Sequence, residues 1–236
     1  MALPELNTAR YSMVIPSTGQ TVKYRPYLVK EEKILMMAME SDDNKVIARA
    51  TMDVIKSCIE DELDVESLPM FDIEAIFLAL RSKSVGESME LKIKCSDESC
   101  NKVSDISINF DEVEIPKISN KETNIMLTDD VGVVMKYPSM KDVEKMGNAD
   151  DNNAKEAMNM IIACIDSIFD ADAVYPASEE SSESLTKFVD SLSNVQFLKL
   201  SEFFRDMPAI KHTINYKCEC GKEQEQVLRG LSSFFT

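Results

Sequence analysis

The amino-acid sequence predicts an α+β fold with an internal duplication, its two related halves spanning residues 1–118 and 119–236. Three observations predict it. Residues 13–110 and 126–235 run through the same order of features, a β-prone hairpin, amphipathic helical segments and a closing pair of strands. Each tract closes on a cysteine pair, Cys95 and Cys100 in KIKCSDESCNK, then Cys218 and Cys220 in YKCECGK. Met13, Gly19, Lys23 and Tyr24 recur as Met126, Gly132, Lys136 and Tyr137, all displaced by 113 positions.

The elements follow in order. MVIPSTGQTVKYRPY places turn residues Pro16 to Gly19 between two β-prone runs, which predicts a hairpin, and IMLTDDVGVVMKYPS opens the second half the same way. KEEKILMMAMES and KDVEKMGNADDN each read as a short helix running into a polar stretch. Val46, Ala50, Val54 and Cys58 recur every fourth residue, and Ala154, Ala157, Met158, Ile161, Ile162, Ile165, Ile168 and Phe169 form a matching stripe. Both tracts predict long amphipathic helices, with Cys58 (SCIE) and Cys164 (ACID) at equivalent sites.

Asp72 is positioned to cap a third helix presenting Ile73, Ile76, Phe77 and Leu80. In the second half Ser184 can cap a helix presenting Leu185, Phe188, Val189 and Leu192, and Asn194 can start another through Phe204. Met89, Leu91, Ile93 and Cys95 alternate with charged residues, as do Ile210, His212, Ile214, Tyr216 and Cys218 with polar ones, so each reads as a half-buried strand. Return strands run through Ile106, Ile108 and Phe110, and from Val227 to Leu231. A linker is expected near Pro116 to Thr123.

Composition narrows the function. A chain of 236 residues with 44% hydrophobic content can bury a core. Its formal charge of −16 repels phosphate backbones, which argues against nucleic acid as the partner. No basic-then-apolar leader stands at the amino terminus, and the longest apolar run, Ile34 to Met39, is too short to cross a bilayer. A soluble cytoplasmic protein with no stable membrane insertion is expected. In that reducing setting the six cysteines point to thiols or metal ligands over disulfides.

Zinc takes four tetrahedral N or S ligands, and two hairpins carrying two thiolates each can complete one closed shell. Cys95 and Cys100 fit the usual knuckle spacing, whereas the one-residue gap between Cys218 and Cys220 is tighter than usual. Gly221 supplies the backbone freedom such a turn demands. Two readings stand at this point: a structural zinc on Cys95, Cys100, Cys218 and Cys220, or reduced, partly buried thiols.

Cys58 and Cys164 sit among aliphatic residues and read as core. His212, the single histidine, lies on an apolar strand face, and no nucleophile elbow, P-loop or dinucleotide fingerprint accompanies it. No catalytic residue is assigned and an enzyme is not expected. Leu231, Phe234 and Phe235 end the chain with little polar cover, either as part of the second half's core or as a docking point for a partner.

STGQTVKYRPYLVKEEKILMMAMES, KCSDESCNKVSDISI and YKCECGKEQEQVLRGLSSFF resemble the baseplate hub assembly family of T4-like tailed bacteriophages, over nearly the whole chain. The resemblance implies a non-enzymatic protein, structural component or chaperone, that helps build the hub of a contractile tail baseplate. Its implied partners are other baseplate hub or tail proteins, and its implied place is the infected bacterial cytoplasm during assembly or the tail baseplate of the virion. The rival class is a zinc-ribbon adaptor bound to a transcription complex.

Overall fold

The computed structural model describes residues 7–41, 43–97, 99–100, 102–115, 123–145, 153–205 and 207–230. The fold class is α+β: helices combine with small antiparallel sheets. The opening hairpin pairs β1 (Tyr11–Val14) with β2 (Thr21–Tyr24), and Gly19 takes φ +69° in the turn between them. Helices α1 (Val29–Glu40), α2 (Asn44–Cys58) and α3 (Met70–Ser84) follow. A long ribbon then pairs β3 (Ser88–Lys94) with β4 (Val103–Asn109).

The chain next builds a four-stranded sheet of β5 (Asn124–Met126), β6 (Gly132–Met135), β7 (Ile165–Phe169) and β8 (Val174–Pro176), in that spatial order. Helices α4 (Met140–Lys145) and α5 (Asn153–Ala163) lie between β6 and β7 in sequence. After β8 come α6 (Ser182–Asp190) and α7 (Asn194–Arg205), then a closing ribbon of β9 (Lys211–Lys217) and β10 (Glu223–Arg229).

Two compact units result. One gathers Met1–Val65, Phe71–Lys117 and Ala209–Thr236, and the other Glu66–Met70 and Ile118–Pro208. These boundaries differ from the sequence halves, because the closing ribbon belongs with the first unit. Its alternation explains why: Ile210, Ile214 and Leu228 are buried in one cluster with Met89, Leu91 and Ile108 of the β3–β4 ribbon, Leu78 of α3, and Phe110 and Val113. The second unit has its own core, with Val133, Met135, Ile165 and Ile161 packed among Val189, Leu200 and Phe203.

A local device appears in both units. The Arg25 amide donates to the Cys58 carbonyl at the end of α2 (3.0 Å), and the Arg25 guanidinium reaches Glu31 (2.9 Å), which also accepts from the Leu28 amide at the start of α1. In the second unit the Lys136 amide donates to the Cys164 carbonyl (2.8 Å), Lys136 Nζ reaches Asp142 (3.0 Å), and Asp142 accepts from the Ser139 amide. Both carboxylates are buried. The two arrangements lie 111 residues apart, with Arg25 and Glu31 in one and Lys136 and Asp142 in the other, whereas the sequence match set Lys136 against Lys23 at 113.

Three local expectations change. Ile165, Ile168 and Phe169 leave the predicted helix: α5 stops at Ala163, and β-branched Ile165 and Ile168 pair with Met135 and Val133. Asp72 does not cap α3; it lies inside the first turn and accepts from the Ser17 amide (2.9 Å) and hydroxyl. Ser181 caps α6 in place of Ser184, whose amide it accepts (3.1 Å). Most of the expected linker, and Leu231, Phe234 and Phe235, lie outside the described residues.

Candidate metal centre

Strand alternation brings the four cysteines together. Residues 89, 91 and 93 face inward on β3, so Cys95 continues the inward face just past the strand end, and Cys218 does the same after Ile214 and Tyr216 on β9. The turns then return Cys100 and Cys220 toward them. The Cys95 amide donates to the Lys102 carbonyl (2.9 Å) and the Cys100 amide to the Asp97 carbonyl (2.9 Å). In the tighter turn the Cys218 amide donates to the Lys222 carbonyl (3.0 Å) and the Gly221 amide to the Cys218 carbonyl (2.8 Å). Gly221 takes φ +89°, a conformation a side chain would strain.

All four sulfur atoms lie within 4.8 Å of one another. Cys95 Sγ is 4.0 Å from Cys220 Sγ, and Cys100 Sγ is 3.7 Å from Cys218 Sγ. Neither distance is a disulfide, whose sulfurs sit about 2 Å apart. A tetrahedral zinc with bonds of about 2.3 Å needs sulfur–sulfur edges of about 3.8 Å. Two edges of the quartet already match that length, and the others fall within 4.8 Å. Cys95 and Cys218 are buried, Cys100 is half-buried and Cys220 is exposed, so the centre lies at the ribbon tips with one side open to solvent.

The electrostatics suit a cation. Although the Lys102 amide favours its thiolate, burial and the neighbouring thiols push Cys100 up to about 12. Cys220 goes the other way, to about 7, drawn down first by the Lys222 amide and then by the Cys218 thiol. Without metal the group resists becoming four crowded anions; a divalent ion removes that conflict by replacing the shared protons. Such a complex carries two net negative charges, and Lys102 and Lys222 stand beside the sulfurs.

The same lysines tie the turns together. Lys102 pairs with Glu219 (2.9 Å) and Lys222 with Asp97, each pair running from one ribbon to the other. Ser96 adds its amide and hydroxyl to the Gln224 side chain. Reasoning from sequence found the sulfurs and missed these lysines. Their signal was present, since a lysine stands two residues after the second cysteine of each pair, in C-N-K and C-G-K.

The remaining candidates stay apart from this centre. Cys58 and Cys164 are fully buried, and burial pushes both thiols up, Cys164 to about 12. His212 Nδ1 lies 3.2 Å from the Glu112 carbonyl and outside the sulfur cluster.

The profile described as T4 bacteriophage base plate protein matches residues 8–236. The chain belongs to that family. It is 23% identical over 227 residues to the baseplate hub assembly protein gp26 of Enterobacteria phage T4, covering 95% of this chain and 97% of the relative. No solved structure matches. No described helix of this base plate family member is long and apolar enough to cross a membrane.

Proposed function

We propose that the protein is a non-enzymatic structural or chaperone factor that helps assemble the hub of a contractile phage tail baseplate, with its paired ribbons fastened by structural zinc. The observation that carries the assembly role is the family match along residues 8–236, together with a relative named for hub assembly that aligns over nearly its whole length. It acts in the infected bacterial cell and binds other baseplate hub or tail proteins. Four protein thiolates around a zinc leave no open position for chemistry, so the metal serves the fold. We also propose that residues 1–118 and 119–236 descend from one α+β repeat; the twice-built pair of buried carboxylate and basic residue supports this.

Two measurements test the function. Mass spectrometry of purified particles beside infected-cell lysate is expected to find the protein with the baseplate or with its assembly intermediates; a protein absent from both contradicts the role. Binding assays against purified tail proteins and against RNA polymerase separate it from a transcription adaptor, a reading that the ribbon pair alone favours. Deleting residues 231–236 tests whether Leu231, Phe234 and Phe235 belong to the docking surface. Loss of partner binding at unchanged melting temperature assigns them there, and loss of folding assigns them to the core.

For the metal, elemental analysis of untagged protein purified without chelators is expected to give close to one zinc per chain. Changing Cys100 and Cys218 to serine should abolish it. Zinc-free protein that keeps its native melting temperature would remove the metal from the proposal.

A further inference from the structure

The second compact unit carries a groove that the metal centre does not use. It runs beside α6 at the β7–β8 end of the sheet and consists of two adjoining cavities, of about 300 and 530 Å³. Glu180 and Leu185 line both. The smaller cavity is walled by Ile168, Phe169, Tyr175 and Phe188, and Val174, next to Tyr175, is 64% exposed. A folded protein seldom leaves so many aromatic and branched side chains around one open hollow without an occupant.

Charge states the occupant's chemistry. The charged residues lining the groove are Lys136, Asp142, Asp166, Asp170 and Glu180. Lys136 is committed to Asp142 at 3.0 Å. Among the described residues Asp166, Asp170 and Glu180 form no ion pair, and Asp170 is held by the amides of Asp172 and Ala173 and by the Tyr175 hydroxyl. An apolar hollow with three uncompensated carboxylates on its rim is complementary to an apolar side chain flanked by cations.

Strand addition does not fit the same place. β8 is only three residues long and ends at Pro176, which has no N–H to offer, while the Pro176 carbonyl already accepts from the Glu179 amide (3.0 Å). Recognition must run through side chains.

We propose that this groove docks a segment of a partner protein in which a large aliphatic or aromatic residue lies next to lysine or arginine. The apolar residue fills the cavity between Phe169, Tyr175 and Phe188, and the cation meets Glu180, with Asp166 or Asp170 beyond it. The proposal rests on the reading that the protein works by binding other baseplate proteins, and it names where and what kind of segment.

The test uses the full chain, zinc-loaded and immobilised, against a random twelve-residue peptide library. Enriched peptides are expected to combine Lys or Arg with Leu, Ile, Phe or Trp, to weaken with added salt, and to bind Glu180→Lys and Asp166→Lys about tenfold or more weakly at unchanged melting temperature. Both positions are exposed, so neither change disturbs the core. Enrichment of acidic or uncharged peptides, no enrichment at all, or equal binding to both variants overturns the groove. A phage carrying Glu180→Lys separates the two readings. If it assembles normally while a null allele does not, the baseplate role stands and the groove is excluded from it.

Discussion

Two buried carboxylates in the first unit have opposite relations to pH. Burial works against the charge of Glu31, yet hydrogen bonds from Arg25 and the Leu28 amide outweigh it and lower the group to about 2. Its folded value lies below its unfolded one, so its stabilisation is present above about pH 4.5 and is lost as pH falls toward 2. That depression corresponds to on the order of 3 kcal/mol. Asp72 is fully buried and, among the described residues, receives hydrogen bonds only from Ser17, and burial raises it. A raised acid holds its proton better in the folded state, so this group costs stability once pH climbs past its unfolded value. Glu31→Gln should therefore lower the melting temperature at pH 7 and flatten the acid limb. Asp72→Asn, which can keep both Ser17 contacts, should leave the melting temperature unchanged or higher at pH 7. Thermal melts of both variants from pH 3 to pH 8 check the pair, and parallel profiles would contradict this assignment.

At the scale of elements, β6 and β7 depend on a close approach at Gly132. A methyl group there would overlap the ring of Phe169, the residue it pairs with across the ladder. Gly132→Ala should cost about 1–3 kcal/mol in chemical denaturation as the ring is displaced. Pairing it with Phe169→Leu should recover part of that loss, and a double variant no better than the single one would show that the Phe169 ring is not the obstacle. This stretch also marks where the sequence was hard to read. Ile161, Ile162, Ile165 and Ile168 satisfy a helical stripe, while Ile165 and Ser167 alternate with exposed Asp166 as a strand requires. Only pairing with β6 decides between the two, and that is a long-range fact. The cysteine ribbons were legible because alternation persisted for seven residues on β3 and on β9, which also fixed the direction of the sulfurs. The partners of buried Asp72 and Asp142 were not legible, since Ser17 lies 55 residues from Asp72 and the Lys136 contact depends on how its helix begins.

On the scale of the whole molecule, the chain leaves the first unit after Lys117 and rejoins it at Ala209, so the β9–β10 ribbon comes from sequence that follows the second unit. The first unit's core is therefore assembled from sequence-distant parts, and the centre at the ribbon tips spans the same gap, with Cys100 and Cys218 separated by 118 residues. A cross-link closing a loop of that length stabilises by on the order of 5 kcal/mol through chain entropy. Apolar burial beneath it supplies the remainder, from Ile210, Ile214 and Leu228. The exposed ion pairs Lys102–Glu219 and Lys222–Asp97 add little by comparison. If the centre holds zinc as proposed, removing it with a strong chelator should lower the melting temperature by about 10 °C. Hydrogen exchange should rise first in β9 and β10 and in the facing β3 and β4, while the core around Val133, Ile161 and Leu200 keeps its protection. Because thiols must lose protons to bind, the zinc affinity should also fall as pH is lowered. Exchange rising evenly through both units would mean that the metal holds the entire fold, and unchanged exchange in the ribbons would mean that their apolar faces suffice without it.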